Sequence, residues 1–267
     1  TAVGWESAKL METGENNTSL GYRALYTNVD GDNNTAVGYQ ALYTFEADTD
    51  GHGNNTAIGS NAALGLTTGT GNTAIGTNAL DAALGTGDNN TVIGFNALTA
   101  NTSGSSNVGV GYSALSSSAT GVYNTAIGRS AMQNNISGGY NTAVGGQALK
   151  ENTEGIYNTG VGSDALKANT EGNSNVAVGY QALFKNTTAD YNVAIGRLAL
   201  YHNETGGSNT AVGDGSLINS TTSNNTAVGK NALTGNSTGS QNTAVGAHAL
   251  DAYTGSDTVA VGESCLT

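Results

Sequence analysis

Asn34-Thr35-Ala36-Val37-Gly38-Tyr39-Gln40-Ala41-Leu42 decides how this chain is read. Thr35 and Val37 alternate with the small Ala36, which predicts a short strand with its two larger side chains on one face. Thr and Val exchange freely at the first of these positions (Thr142, Val176, Val193), so that face is expected to be packed. Gly38 ends the strand, and Ala41-Leu42 supplies a second apolar contact on the far side of a turn.

The same phrase is written along the whole chain. Aligned on Gly38, sixteen glycines follow Val, Ile or Leu, from Gly4 and Gly21 to Gly246 and Gly262. Most gaps are 17 residues, with two of 16, one of 18 and one of 21, the last between Gly38 and Gly59. A short fixed period from end to end predicts a solenoid or fibre. Four residues before the anchor stands Asn in fourteen copies, including Asn34, Asn141 and Asn158. Asn tolerates left-handed backbone and closes its own turn, and stacked at one corner it can form an amide ladder. Seven before the anchor is usually Gly, as in Gly31, Gly155 and Gly172, read as a second turn that needs positive φ.

Strand, corner, Ala-Leu side and glycine turn make one rung of an all-β, parallel β-solenoid of about sixteen 17-residue coils. Val37, Val144 and Val178 are expected to stack inside it. At the spacing of paired strands, about 4.8 Å, sixteen rungs give a rod roughly 75 Å long. Helix is a poor alternative, because each interior glycine costs about 1 kcal/mol there. One thin rod buries few side chains per coil against the entropy of ordering it, which predicts an oligomer. Ala36, Gly38 and their equivalents are read as a smooth outer strip against which parallel copies pack, three being preferred.

Composition narrows the function classes. The 267 residues include 40 Gly, no Pro and 10% charged residues, and residues 1–267 read as a single repetitive segment. A net charge of −12 with eight Lys plus Arg excludes a nucleic-acid partner. No apolar run is long enough to span a membrane, and no signal-peptide pattern occurs. The chain opens mid-repeat at Thr1-Ala2-Val3-Gly4 and is read as an excerpt of a longer protein. Cys265 is the only cysteine and stands in a column of Ala and Ser, so it reads as a packing residue.

The Asn34–Leu42 phrase resembles the coils of trimeric autotransporter adhesin heads. It is also similar to the repeats of phage tail-fibre and bacterial surface-fibre proteins. The resemblance covers essentially the whole chain, although the 17-residue period is longer than that of the adhesin heads. It implies a trimeric left-handed parallel β-roll, an extracellular location on a virion tail fibre or bacterial surface, and a role as shaft or adhesin.

The search for chemistry is largely negative. His52, His202 and His248 fall at unrelated phases, and no carboxylate recurs in register, so no catalytic residues, no cofactor and no enzyme activity are expected. The long coil between Gly38 and Gly59 carries Asp48, Asp50 and Asn54, a weak candidate for Ca²⁺ against the plainer reading of a solvated acidic loop. Tyr123, Tyr140 and Tyr157 stand five before three successive anchors, which predicts a ring ladder. Such a strip is also a candidate surface for a host glycan. The leading expectation is a non-enzymatic fibre shaft. An adhesin binding along its flank is the alternative, and ice binding through the threonine column a minor one, interrupted as that column is by Val108, Val176, Val193 and Val259.

Overall fold

The computed structural model describes residues 1–47, 52–83 and 85–266, and these contain strands and turns but no helix. Two units, Thr1–Gly138 and Gly139–Thr267, carry eight strands each. In the first they run from β1 (Ala2–Val3) to β8 (Thr125–Ile127), and in the second from β9 (Thr142–Val144) to β16 (Val259–Val261). Within each unit every strand pairs in parallel with the next in chain order. β3 (Thr35–Val37) meets β4 (Thr56–Ile58) as Thr35↔Thr56, Ala36↔Ala57 and Val37↔Ile58, so the 21-residue gap costs no register. β10 (Thr159–Val161) pairs β11 (Val176–Val178) in the same register.

The ladder continues past the three-residue strands. Gln40 N–H donates to Tyr22 C=O at 2.9 Å, in the preceding coil, and Leu42 N–H donates to Ala62 C=O at 3.0 Å, in the following one. This alternation depends on left-handed backbone at two and four residues after every anchor. Gln40 has φ 53° and Leu42 has φ 51°, and the equivalent leucines repeat it from Leu25 to Leu266. A side chain in that region costs about 1–2 kcal/mol. Burying a leucine contributes about 1.5–3 kcal/mol, and Leu42, Leu149 and Leu183 are fully buried. Burial and the inter-coil bond therefore offset the strain.

Three expectations need correction. The alternation along each strand holds, but its phase is reversed: Ala36, Ala143 and Ala177 are fully buried, while Val37, Val144 and Val178 are half-exposed. A β-carbon built on Gly160, in the alanine column, would lie 3.4 Å from Leu149 Cγ, so this column faces the leucines across a narrow interior. That space fits Ala against Leu, and the β-branched residues face outward. The smooth strip of Ala36 and its equivalents is thus interior and offers no docking surface.

The second correction concerns Asn34 and its column, where left-handed φ falls one residue earlier, at Asn33 (57°) and Tyr140 (59°). The third concerns the glycines seven before the anchor, which do not have positive φ. They are small because the interior is full: a β-carbon on Gly172 would sit 2.8 Å from Asn186 Nδ2 and within clashing distance of Asn169 Oδ1.

Candidate functional site

Two asparagine columns hold the coils together from inside. In the expected one, Asn141 Oδ1 accepts the N–H of Asn158 at 2.8 Å, and Asn158 Oδ1 accepts that of Asn175 at 2.9 Å. The Nδ2 of Asn141 and of Asn158 donates to Gly155 and Gly172 C=O, each at 2.7 Å. Asn34 Oδ1 likewise accepts the N–H of Asn55 at 3.0 Å. Its Nδ2 is buried without an acceptor among the described residues, at the coil that enters the 21-residue gap.

Sequence reasoning missed the second column, seven residues after the anchor. Asn169 Nδ2 donates to Asn152 Oδ1 and Asn186 Nδ2 to Asn169 Oδ1, both at 2.7 Å. Each amide also bridges its own turn, as Asn169 does to Gly172 C=O at 2.9 Å and Asn186 to Ala189 C=O at 3.0 Å. The ladder ends at Asn203, whose Oδ1 is unpaired because Ser220 stands where the next asparagine would. The signal was readable, since Asn28, Asn101, Asn152, Asn169 and Asn236 share this phase.

The outward face of each sheet presents two ranks. Val or Ile forms one, with Ile58, Ile93 and Ile195 each 40% exposed. Thr or Val forms the other, and its threonines make no hydroxyl bond to protein among the described residues, whereas Thr44 and Thr67 bond C=O groups of the next coil. On β11 and β12 (Val193–Ile195) both ranks are apolar: Val176, Val178, Val193 and Ile195. Exposed Tyr180 follows the first of these strands, and exposed Tyr191 precedes the second.

Aromatic rings stack along the flanks. Tyr140 and Tyr157 lie with centroids 5.2 Å apart, as do Tyr22 and Tyr39. A column not foreseen, five after the anchor, stacks Tyr26 on Tyr43 and Phe184 on Tyr201. Tyr123 is exposed in the first unit. Rings stacked face to face present edges and hydroxyls to solvent, which leaves fewer faces for a sugar ring to cover.

Of the calcium candidates, Asp48 and Asp50 lie outside the described residues. Asn54 is exposed, with φ 58°, and its N–H donates to Asp32 C=O at 3.0 Å. Among the described residues no three His, Cys, Asp or Glu side chains cluster as a metal site would require. Nearby, burial pushes the Glu46 carboxyl up from its ordinary value while it accepts Val29 N–H at 2.9 Å. A concavity of about 370 Å³ is lined by Gln40, Tyr43, Thr44, Leu64, Thr67 and Asp81, and burial raises the Asp81 carboxyl too. His202 is shifted down by burial and then by Lys185, and His248 Nδ1 lies 3.4 Å from Asp251. Cys265 is half-buried.

Comparison with protein-family models, curated proteins and solved structures gives no match to this chain.

Proposed function

We propose that this chain is a non-enzymatic structural segment of an extracellular fibre, assembled from parallel copies of itself. The observation that carries the reading is the in-register rank of half-exposed Val and Ile on the outward face of each unit. A continuous β-branched stripe left in water is unfavourable, and a second copy with the same 17-residue spacing is its natural complement. Three copies around one axis close the stripe without leaving an open edge. The outward threonine hydroxyls can then bond across the copies or to trapped water. Such a fibre supplies length and stiffness, as a virion tail fibre or bacterial surface fibre requires.

Sedimentation or mass photometry is expected to give three times the 26.6 kDa chain. Ile195→Asp places a carboxylate on the outward rank, next to fully buried Ala194. It should dissociate the assembly while leaving the far-UV circular dichroism unchanged. A chain that is monomeric at low micromolar concentration, or a variant that assembles as well as the parent, overturns the proposal.

A spacer should also tolerate a change of length. Deleting Asn141–Ser174 removes two coils, 34 residues, and joins Tyr140 to Asn175 in the original phase. Because each coil bonds chiefly its neighbours, the shortened chain should keep its circular dichroism per residue and still assemble. It should lose about 10 Å of the second unit. Loss of folding on this deletion would show that the coils are not interchangeable spacers.

A further inference from the structure

The chain contains twelve Asn-X-Ser/Thr triplets, none with Pro at X. Such triplets accept N-linked oligosaccharide. The fold divides them evenly. Asn16, Asn33, Asn54, Asn89, Asn219 and Asn224 are exposed, while Asn17, Asn101, Asn135, Asn186, Asn203 and Asn236 are between 0 and 7% exposed. Apart from Asn17, the buried set belongs to the asparagine column seven after the anchor.

In these buried amides the nitrogen that would carry the sugar already holds the coil. Asn186 Nδ2 donates to Asn169 Oδ1 at 2.7 Å and to Ala189 C=O at 3.0 Å. Asn203 Nδ2 donates to Gly206 C=O at 2.8 Å, and Asn101 and Asn236 donate to Gly104 and Gly239 C=O at 2.9 Å each. In glycan transfer Nδ2 attacks the anomeric carbon of a lipid diphosphate-linked oligosaccharide. An N–C bond forms, the C–O bond to the diphosphate breaks, the lipid diphosphate departs and Nδ2 loses one proton. At Asn186 and Asn203 the remaining N–H can serve one acceptor where two now need it, and at each of the six the sugar has no volume in a covered site. An acceptor left bare inside costs about 1–3 kcal/mol before any steric cost.

We infer that N-linked glycosylation and folding exclude one another at the six buried triplets, so that this chain is fitted to synthesis where no oligosaccharide is transferred to Asn-X-Ser/Thr. The exposed six are the positions at which a glycan is tolerated. The inference rests on the coil geometry and does not depend on the fibre reading.

The test uses the full chain with an added secretion signal, expressed in eukaryotic cells that have an active oligosaccharyltransferase and, as reference, in bacterial cytosol. A second chain carries Ser19→Ala, Ser103→Ala, Ser137→Ala, Thr188→Ala, Thr205→Ala and Thr238→Ala. These changes abolish the buried triplets and keep every ladder asparagine. All but Ser19 are exposed, and Ser19 stands in a column that is otherwise mostly Ala. In bacteria both chains should fold alike. In the secretory route the parent should carry glycan on buried asparagines and give severalfold less protease-resistant product than the altered chain. Inhibiting the transferase should remove the difference. A parent that is glycosylated at Asn186 or Asn203 and yet equally protease-resistant overturns the inference. Equal secretion with only exposed triplets occupied overturns it too, as does a deficit that persists with the transferase inhibited.

Discussion

Gly179→Ala is expected to unfold the coils around it, while the same substitution at Gly146 makes the protein slightly more stable. Gly179 is an anchor with φ 134°, a backbone region that side chains rarely adopt. A β-carbon there would lie 2.6 Å from Gly196 O, 2.7 Å from Gly196 C and 3.1 Å from Arg197 N, all backbone atoms of the next coil. No rotamer relieves a β-carbon, and moving the next coil away stretches the bond from Gly196 N–H to Val178 C=O, now 2.8 Å. The backbone strain costs roughly 1–3 kcal/mol, and overpacking adds about 1–3 kcal/mol. Gly146, one residue past its anchor, has no atom within 4 Å of the same β-carbon and no positive φ. There alanine restricts only the unfolded chain and should stabilise by about 0.4–1 kcal/mol. Denaturant midpoints of the matched variants decide the matter, and equal midpoints would sink this account of the anchor.

The anchors also show what was legible in the sequence. Period, strand position and parallel stacking could be read because the side chains of Thr35, Ala36, Val37 and Gly38 recur column by column, and each does one job in every coil. The inward face could not be read in the same way. Alternation separates Ala36 from Thr35 and Val37 without saying which set is inside, and hydrophobicity alone argues for valine. What decides it is the width of the interior, which is filled by Leu42, Leu149 and their equivalents opposite the alanines. Those leucines conceal a second feature, since nothing in a leucine announces left-handed backbone. The inter-coil bond from Leu42 N–H to Ala62 C=O, together with the burial of the leucine, explains why the chain accepts that strain.

The outward stripe follows from the same reversal. Once Ala36 turns inward, Val37 and Ile58 must face out, and the surface proposed to bind other copies moves from the alanine strip to the β-branched ranks. The aromatic columns were half legible. The Tyr140–Tyr157 stack follows from period alone, whereas the Phe184–Tyr201 stack lies in a column that also holds Leu64, Asp81 and Lys167, where no repeated residue type draws notice.

Asn186→Asp is expected to be among the most damaging isosteric changes available, and its cost should depend on pH. Asn186 is fully buried, and its Nδ2 faces two acceptors, Asn169 Oδ1 and Ala189 C=O. A carboxylate in its place has no hydrogen to give either one and brings an uncompensated charge into the interior, a loss of about 3–5 kcal/mol. Protonation restores one donor and removes the charge, so the folded state raises the pKa of the introduced acid above its unfolded value of about 3.9. A raised folded pKa means that its favourable contribution is complete below the unfolded value and is lost as pH rises through the folded one. The deficit relative to the parent should therefore be small near pH 3 and grow steadily toward neutrality. Asn33→Asp, at an exposed position with the same formal charge change, should show no such growth. Measuring the difference in denaturant midpoint from acid to neutral pH for both variants separates the effects. A deficit at Asn186 that does not change with pH would mean that lost shape rather than lost donors breaks the coil, and the interior amide ladder would then not be what holds successive coils together.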